Sequence, residues 1–304
     1  GEYKMYGRRM TDSNKSSGGN HLINAAQVFV KSSNIGTSRL IDEHYHDKPE
    51  EYVRAAYRTG ISADLQLPLP GYAKPKIREP KKDKTGRYWE NWSNTALPWM
   101  SIGYETQVPP ISTLAFYNGI ANNGKMIRPY MVREIQQDGK TIQLFDTEVI
   151  RSKICSDEAL RDIRCCLHDV VWDNHLGTAS IRPWNKEPKA QSDLVHIAGK
   201  TGTAQLFMNG HYSGRNHRMT FVGYFPEEDP QYTCLCMIEN PKNAGLYDAG
   251  YDYDGDDYGS YDNDWSEDWD DDDWDWGSDY DFDYDWDSGS DWDWDSGSDW
   301  DSDW

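Results

Sequence analysis

Two short runs bring together residue types that do chemistry. The first is Lys200-Thr201-Gly202-Thr203, preceded by Gly199 and set within His196 to Phe207, a stretch that reads as a strand. The lysine offers a cation, the two threonines offer hydroxyl donors, and glycine lets a ligand come close to the backbone. Such a set suits a carboxylate. The second run is Ser32-Ser33-Asn34, placed where two helix-like stretches meet. A serine hydroxyl there can relay a proton, and an asparagine amide can hydrogen-bond a ligand. Each run also has a plainer explanation, as an exposed strand-end lysine and as a helix N-cap.

Other reactive residue types point less far. His168, Asp169, Asp173 and His175 have the chemistry of metal ligands, but the first two fall at a helix end, where a polar terminus accounts for them. His211 and His217 lie in turn-rich sequence near the Lys200 run and could line a cleft, although surface-loop histidines are the simpler expectation. The five cysteines (Cys155, Cys165, Cys166, Cys234, Cys236) lack C-x-x-C spacing. They are expected to pack as small buried or half-buried side chains, with Cys234 and Cys236 on one side of a strand. No metal and no cofactor is expected.

The elements that must position these residues follow from periodicity and punctuation. Helices are predicted for residues 21–30, for 35–45, from Pro49 to a stop at Gly60, for 112–121, and for 157–172. In the last of these, Leu160, Ile163, Leu167 and Val170/Val171 share a face. Residues 125–146 read as two strands around the turn Asp138-Gly139. Strands are also predicted over 196–207, 219–225 and 231–239, joined by Met208-Asn209-Gly210 and by Glu227 to Pro230. Residues 64–99, rich in proline, lysine and aromatics, read as a long surface excursion. Helices followed by a late antiparallel sheet argue for an α+β domain, with the sheet flanked by helices.

Composition divides the chain in two. Of its 52 acidic and 31 basic residues, 25 acidic and no basic ones lie between Asp248 and Trp304. Residues 1–247 therefore carry 27 acidic against 31 basic side chains, a formal charge near +4. That part has ordinary apolar content and no concentrated basic patch, so nucleic acid is not an expected partner. Residues 248–304 alternate Asp with Trp or Tyr and repeat D-W-D-S-G-S-D-W, which predicts a disordered low-complexity tail. The stretch Asp252 to Asp256 lacks the spacing and closing glutamate of an EF-hand calcium loop. No run of about 18 apolar residues occurs, so the chain as given is not expected to span a membrane. No signal peptide opens it, and its first residues read as the middle of a domain.

The longer strings around the two runs are more telling. KSSNIGTSRL, SIGYETQVPPISTLAFYNGIANNGKMIRPYMV, LGTASI and IAGKTGTAQ together resemble the transpeptidase domain of class B penicillin-binding proteins, the division-type members most closely. The resemblance covers roughly residues 1–250. It implies the penicillin-binding/serine β-lactamase-like fold and D,D-transpeptidation of peptidoglycan stem peptides ending in D-Ala-D-Ala. It also implies β-lactam binding and divisome or elongasome membrane partners. The parent would be membrane-anchored, with this domain outside the membrane. Carried over, Ser32 and Asn34 take the S-x-N roles, Lys200 is catalytic, and Thr201, Gly202 and Thr203 bind substrate. The Thr203 N–H would be half of an oxyanion hole.

The family's third signature, S-x-x-K, does not occur: no lysine has a serine three residues before it. In the family that motif precedes S-x-N by a few tens of residues, more than the 31 positions before Ser32. A partial domain over 1–247, incomplete at both ends, is therefore expected. After Asn243 to Leu246 the family continues into a terminal helix, where this chain has its acidic tail. Without the nucleophilic serine the chain is expected to be inactive as it stands. Two alternatives are a non-catalytic stem-peptide-binding relative and a β-lactam sensor or hydrolase.

Overall fold

The computed structural model describes residues 1–14, 19–88, 92–182, 185–208 and 211–241. The low-complexity segment 248–304, the boundary at 247/248 and the stretch 252–256 lie outside these residues.

The chain opens with a hairpin that no sequence signal announced, β1 (Glu2–Met5) against β2 (Arg8–Thr11). Its turn, Tyr6-Gly7, takes positive φ at both residues, the geometry usually marked by Asn-Gly. Helix α1 (Ala25–Val30) starts at Asn24, which accepts from the Gln27 N–H at 2.9 Å while the Gln27 side chain accepts from the Asn24 N–H at 3.1 Å. That reciprocal cap starts the helix later than position 21. Helix α2 (Asn34–Tyr45) follows after a three-residue turn, and α3 (Pro49–Thr59) runs from its N-terminal proline to a left-handed Gly60, as predicted.

The stretch 64–99 departs from the surface excursion its composition suggested. Leu65 and Leu67 are buried in the main core, β3 (Lys76–Ile77) pairs with β4 (Thr106–Gln107), and α4 (Ala96–Met100) is buried at all five positions. The prolines and lysines between these anchors dominate the composition, while the anchors themselves are too short for periodicity to register. Met100 joins Val53 and Ile77 in a small core of its own. Helix α5 (Pro110–Ala121) leads into β5 (Met126–Ile127), and the predicted hairpin forms as β6 (Glu134–Gln137) and β7 (Lys140–Leu144) around Asp138-Gly139. Strand β8 (Val149–Arg151) returns to pair with β5.

Helix α6 (Asp157–Trp172) organises the rest. Ser156 caps it, and Leu160, Leu167, Val170 and Val171 are buried, with Ile163 packed beside them, as the periodicity required. Each buried side chain contributes about 1.5–3 kcal/mol. This face meets the antiparallel sheet built from β9 (Ala198–Met208), β10 (His211–Phe225) and β11 (Tyr232–Glu239) in the order β11-β10-β9. Buried Ala198 and Tyr224 join Leu167, Leu65, Ile120 and Met126 in the main core. A second core sets Val30 of α1 against Val170, Val171 and Ala179, with Phe29, Trp172 and Phe221 at its margin. It ties the helix before Ser32 to the sheet carrying Lys200. Among the described residues no helix is long and apolar enough to cross a membrane.

The cysteine expectation holds for two of five. Cys155 and Cys166 are half-buried, and burial pushes both thiols up. Cys165, Cys234 and Cys236 are exposed. The last two do share a face of β11, opposite Phe221 and Gly223 of β10, and both are exposed there.

Candidate active site

The turn between α1 and α2 meets β9, and there the two runs come together. The Lys200 ammonium donates to Ser32 Oγ at 2.8 Å and to the Thr201 carbonyl at 3.0 Å. It also lies 5.7 Å from the centre of the Phe29 ring, within cation–π range. Burial alone pushes its pKa down from 10.5 to about 8, with no carboxylate of the described residues offsetting that cost. An incoming carboxylate would supply the counter-charge. The arrangement can therefore bind an anion and lend Ser32 a proton donor.

Ser32 sits in the left-handed region at φ +54°, a conformation that a serine adopts only when its surroundings dictate it. Those surroundings are explicit. Its N–H donates to the Phe29 carbonyl at 3.1 Å, and the next N–H, of Ser33, donates to the Val28 carbonyl at 3.0 Å. Ser33 caps α2 by accepting from the Gly36 N–H at 3.0 Å. Gly36 is required here, since a Cβ would lie 2.6 Å from Val28 Cγ2 and force α1 and α2 apart. The helix-cap and catalytic explanations of Ser32-Ser33-Asn34 are thus compatible, because the middle serine caps while the first faces the cleft. The Asn34 amide donates to the Thr11 carbonyl at 3.1 Å, which orients it and leaves its carbonyl oxygen for a ligand N–H.

On the opposite wall, the Thr201 hydroxyl meets that of Thr178 at 2.7 Å. Thr178 follows Gly177, whose missing Cβ lets the loop close onto α6, where a Cβ would come within 2.5 Å of the Asp169 carbonyl. The Trp172 indole donates to the Ile197 carbonyl at 3.0 Å and fixes the entry to β9. Thr203 is half-buried and Gly202 exposed, with the nearest atom to a Cβ there 3.9 Å away, so this stretch is open to a ligand. Strand β9 is the edge of its sheet among the described residues. Alternate peptide groups of an edge strand face away from their neighbour and can pair with an extended peptide.

Spacing did not mark Phe29 or Thr178 as part of the site. Thr178 lies in LGTASI, a string whose resemblance carried no role. The remaining residues singled out earlier lie elsewhere. His168 Nδ1 pairs with the Glu227 carboxylate at 2.9 Å, and the Asp173 carboxylate accepts from the His175 and Leu176 N–H groups. Among the described residues no three metal-capable side chains converge. His217 stands opposite Gln205 in the β9–β10 pair, and the His211 side chain is outside the described residues.

Known proteins share this arrangement of elements. Residues 1–253 match the family model "Penicillin binding protein transpeptidase domain". The "Probable peptidoglycan D,D-transpeptidase PbpC" of Pseudomonas aeruginosa is 29% identical over 220 residues, 72% of this chain and 33% of its own length. The chain spans about a third of the length of the curated relatives it matches. Penicillin Binding Protein 2X from Streptococcus thermophilus superposes with a TM-score of 0.66 at 19% identity, covering 82% of this chain and 34% of that one. Penicillin binding protein 3 of Mycobacterium tuberculosis, complexed with ampicillin, gives 0.62 at 24% identity, covering 79% and 50%. At these identities the structures speak for the fold, the α+β transpeptidase arrangement expected above. By the family match over residues 1–253, the chain belongs to the penicillin-binding protein transpeptidase domain family.

Proposed function

We propose that this chain forms the substrate-carboxylate and proton-relay side of a peptidoglycan D,D-transpeptidase site of the division type, binding stem peptides that end in D-Ala-D-Ala and the β-lactams that resemble them. One observation carries the reading: a half-buried lysine on an edge strand donates to a serine 168 residues earlier in the chain, held in a strained turn. Lys200, Thr201 and Thr203 bind the terminal carboxylate, and Asn34 holds the peptide backbone. In a site completed by a nucleophilic serine, Ser32, hydrogen-bonded to a cation, would pass a proton to the leaving D-alanine amine. The Thr203 N–H takes half of the oxyanion hole. The parent protein would work outside the cytoplasmic membrane beside divisome or elongasome membrane proteins, with no cofactor.

Acyl transfer needs a serine hydroxyl that attacks the penultimate carbonyl and a base that accepts its proton. No S-x-x-K occurs in the 304 residues, so the chain as it stands binds without acylating. A non-catalytic stem-peptide-binding module is the second reading. Isothermal titration with diacetyl-L-lysyl-D-alanyl-D-alanine tests the first claim: the wild-type chain binds and Lys200→Met does not. Equal binding by both proteins would remove the reading.

A further inference from the structure

We propose that Asp12 is a positioning residue for Ser32, holding the Ser32-Ser33-Asn34 turn so that the Ser32 hydroxyl stays against Lys200. The proposal rests on the functional reading above and deepens it. Asp12 follows β2 directly and is buried, 7% exposed. Its Oδ2 accepts from Ser33 Oγ at 2.7 Å and from Asn20 Nδ2 at 3.1 Å, and its Oδ1 accepts from the Ile35 N–H at 3.0 Å. The carbonyl of Thr11 accepts from Asn34. Residues 33, 34 and 35 are therefore each tied to position 11 or 12, across 21 to 23 residues of sequence.

The chemistry of the Ser33 hydroxyl makes the carboxylate decisive. A hydroxyl has one proton to give. With that proton committed to Asp12, a lone pair turns to the Gly36 N–H and completes the cap of α2. Hydrogen bonds to an ionised acceptor are the strong ones, and a negative charge beside a helix N-terminus is favoured. Ser32 itself gets no help from Asp12: its hydroxyl contacts Lys200, and its left-handed φ persists because its neighbours are clamped. Asp12 fixes the residue after Ser32, while the Phe29 and Val28 carbonyls fix the turn from the other side. Asp12 touches no reacting group, so its effect on the cleft passes through Ser33 and Ile35.

A purely structural carboxylate would change stability and leave the cleft unchanged, and NMR separates the two roles. In protein labelled with carbon-13 lysine, the Lys200 ε-methylene signal is assigned through Lys200→Arg. Wild type is then compared with Asp12→Ala, Asp12→Asn, Ser32→Ala and Ser38→Ala. The last removes a buried α2 hydroxyl bonded to the Pro98 carbonyl, away from the cleft, and serves as the stability control. Asp12→Ala is expected to move the Lys200 signal in the direction Ser32→Ala moves it. It should also weaken diacetyl-L-lysyl-D-alanyl-D-alanine binding roughly tenfold, the scale of one charge-assisted hydrogen bond. Asp12→Asn, which can still accept from Ile35, gives a smaller displacement of the same sign. Ser38→Ala lowers Tm without moving the signal. If Asp12→Ala does not fold, Asp12→Asn decides alone. Folded Asp12 variants with the Lys200 signal at its wild-type position overturn the proposal. Failure of the wild type to bind the peptide would remove the functional reading, and the ligand-free signals would still decide the role of Asp12.

Discussion

The two walls of the cleft are built on different principles. The Lys200 wall is a product of burial: a strand, a sixteen-residue helix with an apolar face, and a core reaching from Leu65 to Tyr224. The Ser32 wall is a product of polar geometry, made of two caps, a left-handed serine and a buried carboxylate. Dispersion and the hydrophobic effect set Lys200 in place cooperatively, whereas Ser32 depends on a few directional bonds. The first wall should fail by unfolding and the second by misalignment.

Leu167→Ala should separate these modes most sharply. Leu167 is fully buried between α6 and the sheet, and its truncation costs about 2–5 kcal/mol. Chemical denaturation should report that loss directly. Any peptide affinity lost should track the unfolded fraction, which marks it as an effect on folding.

Lys200→Met comes next and acts in the opposite sense on stability. The ammonium is held in a site that costs it hydration, so an apolar replacement should raise Tm at pH 7 while removing peptide binding. The pH dependence has the same origin. Lys200 titrates near 8 in the folded chain and near 10.5 when unfolded. Between these values the folded chain binds fewer protons, so this group makes stability rise with pH across that window. Affinity for a carboxylate runs the other way, falling about tenfold from pH 7 to pH 9 as the cation is lost. Peptide titration of the wild type at the two pH values checks the second sign, and denaturation at both, with Lys200→Met as the pH-independent stability reference, checks the first.

Ser156→Ala gives the smallest effect and sharpens the contrast. Ser156 Oγ accepts from the Ala159 N–H at 3.1 Å and caps α6 far from the cleft. Its loss should cost about 1 kcal/mol and lower Tm without changing peptide affinity. A cap on α6 is thus a stability device, where the cap on α2 is also a positioning device.

The same contrast explains what was legible in the sequence. Helix α6, the three strands of the sheet and the Asp138-Gly139 turn follow from periodicity and turn chemistry, because burial and backbone sterics write repeating patterns. Lys200, Thr201 and Ser32 were legible as short runs of suitable types. Asp12 and Phe29 were not, since a carboxylate 21 residues before its partner leaves no local trace. Leu65, Leu67 and the buried α4 were hidden among prolines and lysines. The exposed Cys234 and Cys236 were misjudged because burial of a strand face depends on what covers it, which the strand's own residues do not encode.

The central claim is a site that binds but does not acylate, and radiolabelled benzylpenicillin tests it in one measurement. The folded chain is equilibrated with the label, then counted before and after denaturation in detergent. The account predicts counts bound to the native protein and fully released on denaturation. No native binding, or label that stays with the denatured chain, would contradict it.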